Sequence, residues 1–275
     1  MKRASPFDPA PAKRTVSSAS PQGSSGATSL RGVGLPPGWR ALAGSLLTWT
    51  YGTPAPSAKV AAFDFDGTLA RCAWHRALRP PPAATWLTVL GARDGSTQLQ
   101  GFDPNGWEMQ FAQVPRVLEK LAADGYTLLI ITNESLDRYK NVRRATLPRH
   151  PNANVRADSA VSQEAPLAKA IRKKVGRIEG FAKAAGVPLT VLCATAKDSY
   201  RKPGARSWSH FAGAHNGGVE VDPTRSFYVG DAAGRPARAG RKEDFSDSDR
   251  AFAAAVGIRF YTETEFFLAE RQPPP

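Results

Sequence analysis

An α/β fold, a parallel sheet with helices on both faces, is what this 275-residue chain predicts. Three observations carry that expectation. Short apolar runs alternate with stretches of helical periodicity, the order that builds parallel strands joined by helices. Glycines stand where several of those helices should stop. And Asp64, Thr132, Lys202 and Asp231 each follow an apolar strand candidate, so four separate segments should meet beyond the carboxyl ends of the strands, where such sheets bind ligands.

Taken in order, residues 1–57 are rich in Ser, Pro, Ala and Gly, with scattered Lys and Arg and Asp8 as the only acid. That composition buries too little apolar surface to fold by itself, so a mostly disordered basic tail is expected over 1–57, ahead of a folded domain over 58–271. Leu46, Leu47, Trp49 and Tyr51 are the residues of this segment suited to dock on that domain. The pairs Lys2-Arg3 and Lys13-Arg14 fit a nuclear signal, and the acid-poor, Ser/Arg-bearing composition equally fits a transit peptide to a mitochondrion or plastid.

Val60–Phe63 reads as a buried strand that delivers Asp64-Phe65-Asp66-Gly67 at its end. Gly67 lets the chain turn so that Asp66 swings toward Asp64. Two crowded carboxylates are poor packing material, because buried acids need partners or a cation. They suit chemistry: one attacks while the other moves a proton, with a hard cation such as Mg²⁺ offsetting their repulsion. A calcium loop of EF-hand type is excluded by register, since no Glu stands at the required later position.

Arg71–Gln110, with Trp74, Trp86 and Trp107 in or near its aperiodic stretch, has few periodic signals. Val114, Val117, Leu118 and Leu121 then mark a helix stopped by Gly125, and Tyr126–Ile131 a strand ending in Thr132-Asn133. Leu167, Ile171, Val175, Ile178 and Phe181 form one face of a long helix. Lys169, Arg172, Lys173, Lys174 and Arg177 fall largely off that stripe, as a solvated face or, with Arg138, Lys140, Arg143 and Arg144, as a track for a phosphate backbone. Gly186 ends the helix, and strand Leu189–Ala194 leads to Tyr200-Arg201-Lys202-Pro203, after which Trp208 and Phe211 should pack. Strand Phe227–Val229 ends in Gly230-Asp231, with Arg235 shaping the rim. A capped helix over Asp247–Val256, a strand over Ile258–Tyr261 and a final helix begun by a Thr262/Glu265 capping box close the pattern.

A formal net charge of +13 favours polyanionic partners. Cys72 and Cys193 are too few for a disulfide framework, which points to a reducing compartment. No apolar run is long enough to span a bilayer, so the expectation is a soluble protein with no membrane partner.

Asp64-Phe65-Asp66-Gly67-Thr68-Leu69 resembles the first motif of the haloacid-dehalogenase superfamily of aspartate-nucleophile phosphatases. Ile130-Ile131-Thr132-Asn133, Tyr200–Pro203 and Tyr228–Pro236 narrow the resemblance to the DNA 3′-phosphatase branch, which includes the phosphatase domain of polynucleotide kinase 3′-phosphatases. Lys242–Phe245, Asp249-Arg250 and Glu265–Phe267 are similar to the same branch, and the likeness covers about residues 59–268.

The resemblance implies a Rossmann-like sheet of haloacid-dehalogenase type with small cap-like loops over the site. It makes Asp64 the nucleophile and Asp66 the acid/base, with Thr132 and Lys202 holding the phosphoryl oxygens. Mg²⁺ would be bound by Asp64, Asp231 and Asp66 (through its carbonyl). Asn133, Arg235 and Arg138 would contact substrate, and Glu134 stands where many relatives carry Gln. The substrate implied is a 3′-phosphate at a DNA nick, gap or break, handled by a monomer in strand-break repair, with contacts to repair proteins through the tail. No Gly-x-x-x-x-Gly-Lys-Ser/Thr occurs, so no 5′-kinase activity is expected. Two other readings stay open: a small-molecule phosphatase of the same superfamily, and a catalytically idle DNA-end-binding adaptor.

Overall fold

A computed structural model describes residues 30, 34–72, 106–134, 136, 166–238, 240 and 242–269. Their strands are, in chain order, β1 (Arg40–Leu42), β2 (Leu46–Tyr51), β3 (Val60–Phe63), β4 (Ala70–Cys72), β5 (Trp107–Met109), β6 (Thr127–Asn133), β7 (Leu189–Ala194), β8 (Phe227–Gly230) and β9 (Arg259–Thr262). The helices are α1 (Val114–Ala123), α2 (Pro166–Ala185), α3 (Arg206–Ala214), α4 (Ser248–Val256) and α5 (Glu263–Phe267).

The main sheet has the order β1-β2-β7-β6-β3-β8-β9. From β7 to β9 every neighbour is parallel, whereas β2 pairs antiparallel with β7 and β1 antiparallel with β2. All residues of β3, β7 and β8 are buried, as expected for strands covered on both faces. Side-chain alternation divides the core in two. Ala61, Phe63, Leu128, Ile130, Val191 and Cys193 face α1, α2 and α5, where they meet Leu118, Ile178, Phe181 and Phe266. Val60, Ala62, Leu129, Ile131 and Leu192 face α3 and α4, where they meet Trp208, Phe211 and Phe252. Fully burying one such large side chain is worth about 1.5–3 kcal/mol, so each helix docks through a few residues.

The expected boundary at 57/58 falls inside this fold. Residues 40–51 are two strands of the sheet, and Leu46 and Leu47 are as buried as any core residue. Low hydrophobicity averaged over 1–57 hides them, because the apolar run is short and its stability comes from pairing with β7. Asp247 does stand at the start of α4 but makes no side-chain capping bond there. Gly257 closes that helix in the left-handed region, at φ +81°, and Thr262 with Glu265 forms a reciprocal capping box. β4 and β5 form a separate two-stranded ribbon; the cap-like segment expected between them lies mostly outside the described residues. Among the described residues no helix is long and apolar enough to cross a membrane.

Candidate active site

β3, β6 and β8 run side by side and in parallel, so their carboxyl ends open on one crevice. β3 extends by one backbone bond, Asp64 N–H donating to Val229 O at 2.9 Å, and then turns. Gly67 makes the turn at φ +86°, and its N–H donates to Ala70 O at 2.8 Å. A Cβ at Gly67 would collide with the Asp231 carboxylate, and one at Gly230 with that of Asp249. Two missing side chains therefore let acids from β8 and α4 close on the end of β3.

Asp64, Asp231 and Asp249 bring carboxylate oxygens within 4.8 Å of one another. Lys202 enters from the other side. Its buried ammonium donates to Asp64 Oδ1 at 2.6 Å and to the Tyr228 hydroxyl at 2.7 Å, and pairs with Asp249 Oδ1 at 2.7 Å. Tyr228 in turn donates to Ile131 O at 2.7 Å, and Asp249 Oδ2 accepts from Ala232 N–H at 3.0 Å. Asn133 fixes the Lys202 backbone: its Oδ1 accepts from Lys202 N–H at 3.0 Å and its Nδ2 donates to Lys202 O at 3.1 Å.

Burial raises the Asp64 carboxyl, Lys202 pulls it back, Asp249 adds to the rise, and the result is about 6. Burial followed by the charges of Asp64 and Asp249 pushes Asp231 up to about 8. Asp231 Oδ1 is buried without a hydrogen-bond partner. A set of crowded oxygen donors with more negative charge than Lys202 can neutralise fits a hard divalent cation such as Mg²⁺.

Asp66 lies in a different environment. Its two carboxylate oxygens are taken one each by Lys174 and Arg177 from α2. Burial favours the neutral acid, but Lys174 and then Arg177 more than reverse this and lower Asp66 to about 2. Lys174 also donates to Thr132 Oγ1 at 3.3 Å and sits 3.5 Å from Glu134 Oε2.

Asp64, Asp66, Thr132, Asn133 and Lys202 line one cavity of about 410 Å³, together with Arg201, Phe245 and Asp249; Asp231 joins them through the acid triad and not through the cavity lining. Phe245 stands at its rim 82% exposed. Arg235 is placed otherwise than expected. It pairs with Asp244 at 2.8 Å and Glu263 at 3.1 Å and donates to Asp231 O at 2.9 Å, so it braces the Asp231 loop and is absent from the cavity lining. The Asp66 side chain is held by cations and stands outside the triad of acids, which Asp249 completes; the metal contact expected of Asp66 is through its carbonyl. Arg138 lies outside the described residues.

Three residues were not singled out for the site by their pattern: Asp249, Lys174 and Arg177. The signals are present nonetheless. Lys174 is three residues after Ile171 and four before Ile178, and Arg177 is four before Phe181, which puts both beside the buried stripe of the helix. Asp249 is an acid in the first turn of α4, buried at 1% exposure.

Residues 59–267 match the model of the family described as polynucleotide kinase 3 phosphatase. The chain belongs to that family. Within this polynucleotide kinase 3 phosphatase family context, the chain is 33% identical over 229 residues to the polynucleotide 3′-phosphatase ZDP of Arabidopsis thaliana, a match covering 79% of this chain and 25% of the plant protein. It is 26% identical over 231 residues to the bifunctional polynucleotide phosphatase/kinase of Schizosaccharomyces pombe, covering 84% of this chain and 43% of that one. A 20.8 kDa protein of Autographa californica nuclear polyhedrosis virus is 28% identical over 77% of this chain and 87% of its own length. The chain therefore spans a quarter to under half of the plant and yeast relatives.

Proposed function

We propose that the chain is a Mg²⁺-dependent polynucleotide 3′-phosphatase that clears 3′-phosphates from DNA strand breaks during repair. The observation that carries this reading is the pairing of two acids with opposite surroundings at one strand end: Asp64 beside Lys202 and two further carboxylates, Asp66 held by cations. A phosphatase needs such a division, one carboxylate to attack and another to move protons.

In the first step an Asp64 oxygen forms a bond to phosphorus, the bond from phosphorus to the sugar 3′-oxygen breaks, and Asp66, ionised in the free protein, passes to that oxygen a proton it takes up from solvent as the phosphate dianion binds beside it. An aspartyl-phosphate results. In the second step Asp66 takes a proton from water, which attacks phosphorus and displaces Asp64 as a free carboxylate with release of inorganic phosphate. Lys202 and Lys174 lie where they can offset charge on the phosphoryl oxygens, and the Thr132 hydroxyl where it can grip one of them. Asp64, Asp231 and Asp249 would hold Mg²⁺, with the Asp66 carbonyl nearby in sequence; the cation would supply charge neutralisation for a dianionic phosphate.

A polynucleotide substrate is supported by the formal charge of +13, by Arg201 in the cavity lining and by exposed Phe245, whose ring offers a stacking face for a terminal base. The family and the name of the plant relative point the same way. The absence of a phosphate-binding Gly-x-x-x-x-Gly-Lys-Ser/Thr in these 275 residues supports phosphatase without 5′-kinase activity. We take the protein to act as a monomer in the nucleus, on the paired bases near its start; a fluorescent fusion excluded from the nucleus would overturn that part.

The deciding assay is release of phosphate from an oligonucleotide duplex with a 3′-phosphorylated nick, with and without chelator, beside a panel of phosphosugars and amino-alcohol phosphates. The expected result is chelator-sensitive turnover of the nick and little of the metabolites. Preference for a metabolite, or a near-normal rate from Asp64→Asn, would overturn the reading.

A further inference from the structure

We infer that Lys174 and Arg177 of α2 are positioning residues for Asp66, and that together they aim its proton-transfer carboxylate. The inference rests on the reading of Asp66 as acid/base given above. Each cation takes a different oxygen of the carboxylate, Lys174 Oδ2 and Arg177 Oδ1. A carboxylate has about four lone-pair positions, so this grip fixes its plane and still leaves each oxygen one position for a proton.

Neither cation behaves like a surface residue. Their side chains are 3% and 7% exposed, while that of Asp66 is 38% exposed and so faces the cavity. Burying an ammonium or a guanidinium is costly unless it is paired, and a solvated helix face would require no such arrangement. Phe65, the residue between the two acids, completes the seat. Its ring lies 5.3 Å from Lys174 Nζ and 5.5 Å from the Arg177 guanidinium, and packs edge-on against Phe181 one turn further along α2 at 5.5 Å. The segment after β3 and the helix are therefore registered by an aromatic contact, beside which both cations reach the carboxylate.

Lys174 links two functions. It spans Asp66, Thr132 Oγ1 at 3.3 Å and Glu134 Oε2 at 3.5 Å, which joins the acid/base from the end of β3 to the phosphate-gripping hydroxyl from the end of β6. The negative charge of Glu134 adds to the hold on that ammonium.

The test exploits leaving-group dependence. A sugar alkoxide needs protonation as it leaves, whereas 4-nitrophenolate does not, so misaiming Asp66 should harm only the first. Lys174→Met and Arg177→Met should each lower single-turnover cleavage of a 3′-phosphorylated oligonucleotide by about 10²-fold, the scale of general acid catalysis, with KM changed far less than kcat. For Arg177→Met the burst of nitrophenolate from 4-nitrophenyl phosphate should stay within about 3-fold of wild type on the same premise, whereas Lys174→Met, which also removes a partner of the Thr132 hydroxyl, should lower that burst too, though less than it lowers oligonucleotide cleavage. Arg177→Lys and Lys174→Arg keep the charge, should fold, and should recover part of the loss on the oligonucleotide alone. Equal losses on both substrates in Arg177→Met, a rise in KM without a fall in kcat, or no loss in the conservative pair where the Met variants do not fold, would overturn the inference. Asp66→Asn separates this from failure of the parent reading: if that variant is active on both substrates the acid/base assignment itself falls, whereas selective loss in Asp66→Asn but not in the clamp variants defeats only the clamp.

Discussion

Asp64 and Asp66 are two residues apart and share a cavity, yet their surroundings are opposite. Asp64 stands among acids, with Asp231 and Asp249 close by and a single ammonium to balance them, and is raised to about 6. Asp66 stands among cations, with Lys174 and Arg177 on its two oxygens, and is lowered to about 2. The amino acid is the same, so the difference comes from which elements deliver the neighbours: β8 and α4 bring acids to the first, α2 brings bases to the second. Roles in a two-carboxylate site are set by environment in this way. On the function proposed above, the crowded side would serve a cation and an attack on phosphorus, and the paired side would serve aim.

Breaking the crowded side should have the largest effect. Asp64→Asn should reduce phosphate release by at least about 10³-fold, since loss of a nucleophile leaves only residual catalysis by the rest of the site, read by single-turnover assay on the 3′-phosphorylated nick. Gly67→Ala comes next. The added methyl meets the Asp231 carboxylate and the backbone is held at φ +86°, where an L side chain is strained; a loss of about 1–3 kcal/mol in thermal unfolding should accompany loss of most activity. Asp249→Asn thins the cluster without removing the nucleophile. It should raise the Mg²⁺ concentration for half-maximal rate by about 10-fold or more, read by metal titration after chelation. Tyr228→Phe is the gentlest: Lys202 loses one acceptor and Ile131 O its donor, costing about 1 kcal/mol of stability and less than about 10-fold in kcat.

Strands β3, β6, β7 and β8 were legible in the sequence because they are buried on both sides and read as unbroken apolar runs. Asp64, Asp66, Thr132 and Lys202 were legible because they follow those runs and match known motifs. Lys174 and Arg177 were not, because a basic residue beside an apolar stripe reads as solvated until the facing carboxylate is known. That partner is more than a hundred residues away in the chain. Arg235 illustrates the converse: a basic residue next to Asp231 reads as a substrate ligand, but Asp244 and Glu263 claim it once α5 is packed behind the loop. Local pattern identifies which residues are charged and which strands end nearby; pairing between distant segments decides what each charge serves.

β2 lies against β7 along its whole length, from Leu46 opposite Ala194 to Tyr51 opposite Leu189. A chain shortened to begin at residue 58 would keep every residue that lines the catalytic cavity and still be compromised. It would uncover a fully buried strand, leaving its outward N–H and C=O groups without partners and the faces of Leu46 and Leu47's neighbours open to water. Naked sheet margins of that kind recruit other chains, so such a fragment should precipitate or self-associate, and restoring residues 39–57 should return it to solution.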